Sequence, residues 1–403
     1  LTGESVPVHY VTDTAEAVDR LDVMSIGLPL GADLETRPKD DCRDTAKAAL
    51  SPETGQPRLL QVSDGESALV IDLDKVDLQA LKDSLTRSPL VFFNASFDLS
   101  FLLAAGIDVP ARCVMLEAQS LGSKKMPSLA WACKEFMDFE LSKEQQISDW
   151  SGPLTQEQIV YAGMDAVVVL VLHNALQALM QDKGINYTVV QDCIKPIAHA
   201  RHRGLLLDID RHTALVDTWT KDRDEAKEQL IKETGVENTE SPKQLAEWLQ
   251  DNLSPEDLND WSKTPKKQLS TKKDDVMRFA YLDFVQPLLD YRKVSHKLKT
   301  WGTVYQRHLR SDGRIRSDFH LLGARTGRMS SSEPNVQNLP KRSDKELRSC
   351  FTAPDGHQIV AADYSQCELR IPGLMSGDKA IVSAFRDGVD LHKKIVALVT
   401  GRP

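Results

Sequence analysis

Over residues 1 to about 184, short apolar runs alternate with segments of helical period, the rhythm of an α/β domain. Leu59-Leu60-Gln61-Val62 and Ala68-Leu69-Val70-Ile71 read as neighbouring strands joined at Asp64-Gly65, a hairpin signal. Leu30-Gly31-Ala32 reads as a strand with Pro29 at its start, where the missing N–H removes no ladder bond. Leu90-Val91-Phe92-Phe93 reads as a buried strand. A helix is predicted from Thr155, where Gln158 completes a capping box, to the stop at Gly184, with residues 167–172 as its buried portion. Beyond Gly184 the pattern turns helical and charged over 220–233, and Ser241-Pro242-Lys243-Gln244-Leu245 starts a further helix with Pro in its first turn. Polar loops follow, one of them Lys-rich over 262–273, and after about Gly313 the pattern returns to short strands and turns. Near the end, Gln358-Ile359-Val360-Ala361-Ala362 reads as an apolar β run that delivers Asp363 at its mouth, and Asp390-Leu391-His392 starts a helix ending near Gly401.

A chain of 403 residues has room for two or three domains. With 41% apolar and 27% charged residues its composition is that of an ordinary globular protein and names no function. The six cysteines form no Cys-x-x-Cys pair, which fits reduced thiols better than disulfides or zinc. The longest continuous apolar stretch, 166–172, is too short to span a bilayer, so a cytoplasmic protein without a membrane partner is expected. Charge divides unevenly: residues 1–185 hold 15 Lys+Arg against 28 Asp+Glu, net −13, which leaves net +4 for the remainder of a chain whose total is −9. A polyanion is repelled by the first half except where cations intervene, whereas the second half can offer basic surface.

The candidate chemistry begins at Asp33-Leu34-Glu35, where strand alternation puts both carboxylates on one face. Two carboxylates so placed repel unless cations or protons compensate. Asn94 and Asp98 follow a strand at the four-residue spacing of one helical face, and Tyr161 and Asp165 repeat that spacing inside the capped helix. Each pair alone is ordinary; the ordered set on strand end, strand-to-helix turn and helix is far rarer. A Tyr hydroxyl beside a metal-bound carboxylate can hold an attacking water in line, as two-metal phosphodiester hydrolysis requires. Asp33, Glu35, Asp98, Tyr161 and Asp165 together resemble the tyrosine-bearing branch of the 3′→5′ exonuclease superfamily, which includes the proofreading domain of DNA polymerase I and ribonuclease D. The likeness covers roughly residues 28–180, including the connector 146–154, and implies a ribonuclease H-like mixed sheet. It further implies two Mg²⁺ ions per active site, with Mn²⁺ able to replace them, and Asn94 as a DNA contact. Cys113 stands where relatives often carry an acid, and is not expected to decide catalysis.

A second resemblance covers the later part of the chain. The turn-rich string 326–340, with Arg328 at its centre, resembles the primer-template motif of family A DNA polymerases. That likeness places Arg328 in the primer minor groove and Asn335, Gln337 and Asn338 against template or primer. Residues 241–245 resemble the family's thumb signature, and His202-Arg203-Gly204 with Asp208 the turn that opens the polymerase region. The string from Asp363 to Arg370 resembles the nucleotide-binding palm motif. It implies that Asp363 and the Tyr364 carbonyl bind metal, that Glu368 is the steric gate selecting deoxynucleoside triphosphates, that His392 approaches the triphosphate, and that Arg370 is structural. Pro372 is expected in a first helical turn. The family's later fingers helix and His-Asp-Glu turn are not found by residue 403, and no 5′-nuclease domain precedes the exonuclease. The expectation is therefore an N-terminal part of such a polymerase that does not extend primers by itself, either a truncated or partial sequence or one half of an enzyme completed by a second chain carrying fingers and palm. Its domains are expected as exonuclease 1–185, helical thumb 186–300, and incomplete α+β palm with the start of fingers 301–403. The rivals are a ribonuclease D-like exoribonuclease, favoured by the first 185 residues alone, and a non-catalytic DNA-binding module.

Overall fold

The computed structural model describes residues 6–24, 26–123, 126–141, 148–340 and 344–401. They divide into two compact units, Leu1–Phe351 and Thr352–Pro403.

The first unit is built on a six-stranded mixed sheet. Its strands are β1 (Val8–Val11), β2 (Leu30–Pro38), β3 (Gly55–Ser63), β4 (Ala68–Asp72), β5 (Leu90–Phe92) and β6 (Ala111–Cys113), in spatial order β1-β4-β3-β2-β5-β6. The antiparallel β3–β4 pair is the expected hairpin, and β2 runs antiparallel to β3 but parallel to β5. Alternation sorts the faces. Leu34, Leu60, Val62 and Ile71 point to a core shared with helices Thr14–Met24 and Ala95–Ala104, while Leu59 and Val70 point the other way, against helix Gln156–Asp182.

That 27-residue helix starts at a complete capping box, Thr155 Oγ1 accepting from the Gln158 amide and Gln158 Oε1 from the Thr155 amide. It is long and apolar enough to cross a membrane, yet 67% of its apolar window is buried inside the fold, as befits a core helix. Two glycines let it lie close to the sheet. A Cβ on Gly31 of β2 would stand 2.1 Å from the Ala166 carbonyl oxygen, and one on Gly163 would stand 2.7 Å from Val8 Cγ1.

After Arg203 the chain turns at Gly204 (φ +64°) into strand Leu205–Leu207, which pairs antiparallel with Arg314–Ile315. Helix Ile209–Thr234, capped by Asp208 and stopped by Gly235, packs along helix Val285–Trp301. Between them Ser241 caps helix Pro242–Asn252, and Trp261, Phe279 and Phe284 fill a second core with Leu249 and Leu288. The residues before and after Gly184 are tied together by charge. Arg201 donates to the Ser96 carbonyl at 3.1 Å and pairs with Asp318 at 2.5 Å, and Glu53 in the β2–β3 connection pairs with Arg310 at 3.1 Å and Arg316 at 2.7 Å.

The second unit holds helices Cys367–Ser376, Lys379–Arg386 and Leu391–Thr400. Asp378 caps the middle one, and the Arg370 guanidinium sits 4.4 Å from the Phe385 ring centroid while its Nε donates to the Ser365 carbonyl. Two expectations fail here. Residues 358–362 form no strand, and Ile359 and Val360 are 61% and 87% exposed, because a β run needs a neighbouring edge to pair with and none of the described residues of this unit provides one. Pro372 lies inside helix Cys367–Ser376 rather than in its first turn, since the helix begins five residues earlier.

Candidate active site

Three elements bring their carboxylates to one cleft of about 470 Å³. β2 supplies Asp33 and Glu35, with Leu34 between them buried on the opposite face. The turn after β5 supplies Asn94, which precedes helix Ala95–Ala104 without a side-chain capping bond, and one turn on stands Asp98, 2% exposed. The second and third turns of helix Gln156–Asp182 supply Tyr161 and Asp165. The contact of Gly31 with Ala166 sets the height of that helix, and so places Asp165 beside the β2 pair. Ligand oxygens of Asp33, Glu35 and Asp165 lie within 4.8 Å of one another, the one such group of three among the described residues. Phe93, Phe97, Met115, Met126 and Leu129 wall the cleft, apolar positions that the sequence reading did not single out.

The electrostatics follow from that crowding. Burial and then the charges of Asp98, Glu35 and Asp165 hold the Asp33 carboxyl well above the usual carboxylate range. Burial, then Asp165 and Asp98, push Glu35 up to about 8. Burial likewise raises Asp98 to about 8 and Asp165 to about 6, in the latter against a hydrogen bond from Tyr161. Tyr161 is itself raised, by burial and by Asp165. Asp98 Oδ1 has no hydrogen-bond partner among the described residues. A buried carboxylate oxygen without a donor, in a cleft lined by three more carboxylates, is matched chemically by a hard divalent cation. On β3, directly opposite Asp33, stands Gln61, fully buried, with neither amide atom partnered among the described residues.

A second cavity of about 290 Å³ adjoins the cleft. It shares Asn94, Phe97, Met115 and Met126 with it, and adds Arg201, Phe319 and His320.

The family model for 3′-5′ exonuclease matches residues 8–181, and that for DNA polymerase family A matches residues 210–403. The chain thus carries a 3′-5′ exonuclease domain and a family A DNA polymerase region. DNA polymerase I of Aquifex aeolicus is 28% identical over 370 residues, covering 86% of this chain and 62% of that protein. DNA polymerase I of Pseudomonas aeruginosa is 32% identical over 385 residues, covering 85% and 41%. The fold is that of the polymerase domain of Pol1 from M. smegmatis, solved with DNA primer-template and dNTP, at a TM-score of 0.78, 23% identity and coverage of 98% of this chain and 67% of that one. The chain thus spans 62% and 41% of the length of these two curated relatives. Domains of these two kinds are, as a class, divalent-metal-dependent. The polymerase match also accounts for the second half of the chain, which a ribonuclease D reading leaves unexplained.

The polymerase motifs are displayed differently from the exonuclease set. Arg328, Asn335, Gln337 and Asn338 are all exposed, on a loop that turns at Gly327 (φ +76°). Asn335 Oδ1 accepts from the Gln337 amide at 3.1 Å and from Ser331 Oγ at 3.0 Å, so this side chain also shapes the loop. In the second unit Asp363, Tyr364 and Glu368 are exposed, and among the described residues no carboxylate cluster forms around Asp363. His392 belongs to helix Leu391–Thr400, but its side chain lies outside the described residues.

Proposed function

We propose that residues 8–181 remove nucleotides from the 3′ end of single-stranded DNA, as the proofreading part of a DNA-directed DNA polymerase acting in cytoplasmic replication or repair. The observation that carries this reading is the meeting of Asp33, Glu35, Asp98 and Asp165 in one cleft whose burial and mutual repulsion favour either protons or cations. These four would hold two Mg²⁺ ions, with Mn²⁺ a substitute. When bound, such ions polarise the phosphoryl oxygens and lower the pKa of water, so that hydroxide is available near neutral pH.

The protein's own groups then do the positioning. Tyr161 keeps its proton at neutral pH because burial and Asp165 raise its affinity for it. Its O–H is directed to Asp165, which leaves the phenolic oxygen free to accept from a water and hold it in line with the scissile bond. Asn94, on the border of cleft and adjoining cavity, is placed to donate to the terminal nucleotide, and Phe97 offers a face on which a base can stack. In the remainder, Arg328, Gln337 and Asn338 are exposed to meet primer-template, with Asn335 joining them. Asp363 with the Tyr364 carbonyl would hold metal, Glu368 would exclude a 2′-hydroxyl, and His392 would approach the incoming deoxynucleoside triphosphate.

The test is digestion of a 5′-labelled single-stranded DNA oligonucleotide with and without Mg²⁺. Parent protein should yield a ladder shortened from the 3′ end only with metal. Asp33→Ala should be slower by more than about 100-fold, the upper range seen for loss of a group merely supporting a ligand. An Asp33→Ala rate equal to the parent's overturns the assignment, and faster digestion of RNA than of DNA favours the ribonuclease reading.

A further inference from the structure

Gln61 is the one amide in the apolar run 59–62, and the fold puts it where an amide is costly. Its side chain is fully buried, and both Nε2 and Oε1 lack partners among the described residues. A buried polar side chain with no partner destabilises a fold, so an apolar residue here would give a more stable protein. The neighbours on its own face sharpen the question. Leu59, two residues earlier, and Val70, its partner on β4, both belong to an apolar cluster with Trp150, Ile159 and Ala162. The one polar cross-strand neighbour is Asp33, its direct partner on β2. Residues so paired have Cβ atoms about 4.5–5.5 Å apart, within reach of an amide nitrogen for a carboxylate oxygen.

We propose that Gln61 is a positioning residue for the metal site, its amide N–H donating to the Asp33 carboxylate when that group holds a cation. This rests on the metal-dependent reading given above. Without a cation, neither atom of the Gln61 amide finds a partner among the described residues. With a cation, one carboxylate oxygen ligates and the other is free to accept, and a neutral donor fixes its orientation without adding charge to a crowded site. Gln61 therefore lowers the stability of the metal-free fold and raises that of the metal-bound one.

Gln61→Met, close in length and shape, separates this from a plain packing role. Two quantities are measured on the full chain: the melting temperature of the metal-free protein, and the Mn²⁺ dissociation constant by calorimetry. The expected result is a higher melting temperature for Gln61→Met together with Mn²⁺ binding weaker by about 10- to 100-fold, and with Gln61→Glu failing to restore the parent's affinity. A lower melting temperature with unchanged Mn²⁺ affinity overturns the proposal and makes Gln61 a structural residue. A parent that binds no Mn²⁺ in the cleft removes the metal reading and this inference together; a parent that binds, matched by Gln61→Met, removes this inference alone.

Discussion

Tyr161 and Asp165 show how much one turn of helix can do. The hydroxyl shares a helical face with a carboxylate whose own pKa burial lifts to about 6 and the Tyr161 hydrogen bond partly restores. Replacing Tyr161 by Phe keeps the ring in its cluster with Leu59 and Trp150 and removes only the oxygen. Single-strand digestion by Tyr161→Phe should therefore fall about 100-fold, the low side of what a positioned proton-handling group contributes, while Mn²⁺ affinity measured by calorimetry stays within twofold. Equal losses in both would place the hydroxyl on a ligand rather than on the water. That Asp33, Glu35, Asp98, Tyr161 and Asp165 share one cleft was legible in the sequence because type and spacing mark them as a set. The Asp98 oxygen and the Gln61 amide that find no partner among the described residues were not, since a lack of partners is a property of three-dimensional surroundings.

Among the elements, the capped helix was readable from end to end: Thr155 and Gln158 mark its start and Gly184 its stop, and the structure has Gln156–Asp182. What the one-dimensional pattern could not show was how closely it approaches the sheet. Gly31 looks like any glycine in a strand, yet its missing Cβ admits the Ala166 carbonyl. Gly31→Ala should destabilise by about 1–3 kcal/mol, the usual cost of overpacking, and should depress nuclease activity as well, because the backbone that must yield carries Asp165 and Asp33. Gly163→Ala, whose added methyl meets only side chains, those of Val8 and Val70, should lower the melting temperature less. The expected strand 358–362 fails for the reverse reason: apolar content marks a segment that wants a neighbour but cannot supply one.

For the whole molecule, the crowded carboxylates make stability depend on pH and metal together. Unfolded carboxylates titrate near about 4, whereas folded Glu35 and Asp98 hold protons up to about 8. Between those limits the folded chain binds more protons than the unfolded one, so the stabilisation is complete below about 4 and is lost as pH rises through about 8. Melting of the metal-free protein should accordingly shift downward from pH 5 to pH 8, and saturating Mg²⁺ should flatten the trend. Asp98→Asn, which removes one of the titrating groups, should weaken the pH dependence.

The ion pairs of Glu53 with Arg310 and Arg316, and of Arg201 with Asp318, bear on modular use of the nuclease. Anyone grafting residues 8–181 onto a foreign scaffold would carry Glu53 along and leave both its counter-ions behind, adding one more uncompensated negative charge to a segment already rich in them. Neutralising Glu53 at the moment of transplantation would relieve that repulsion, at a position outside the cutting cleft and hence without expense to its chemistry.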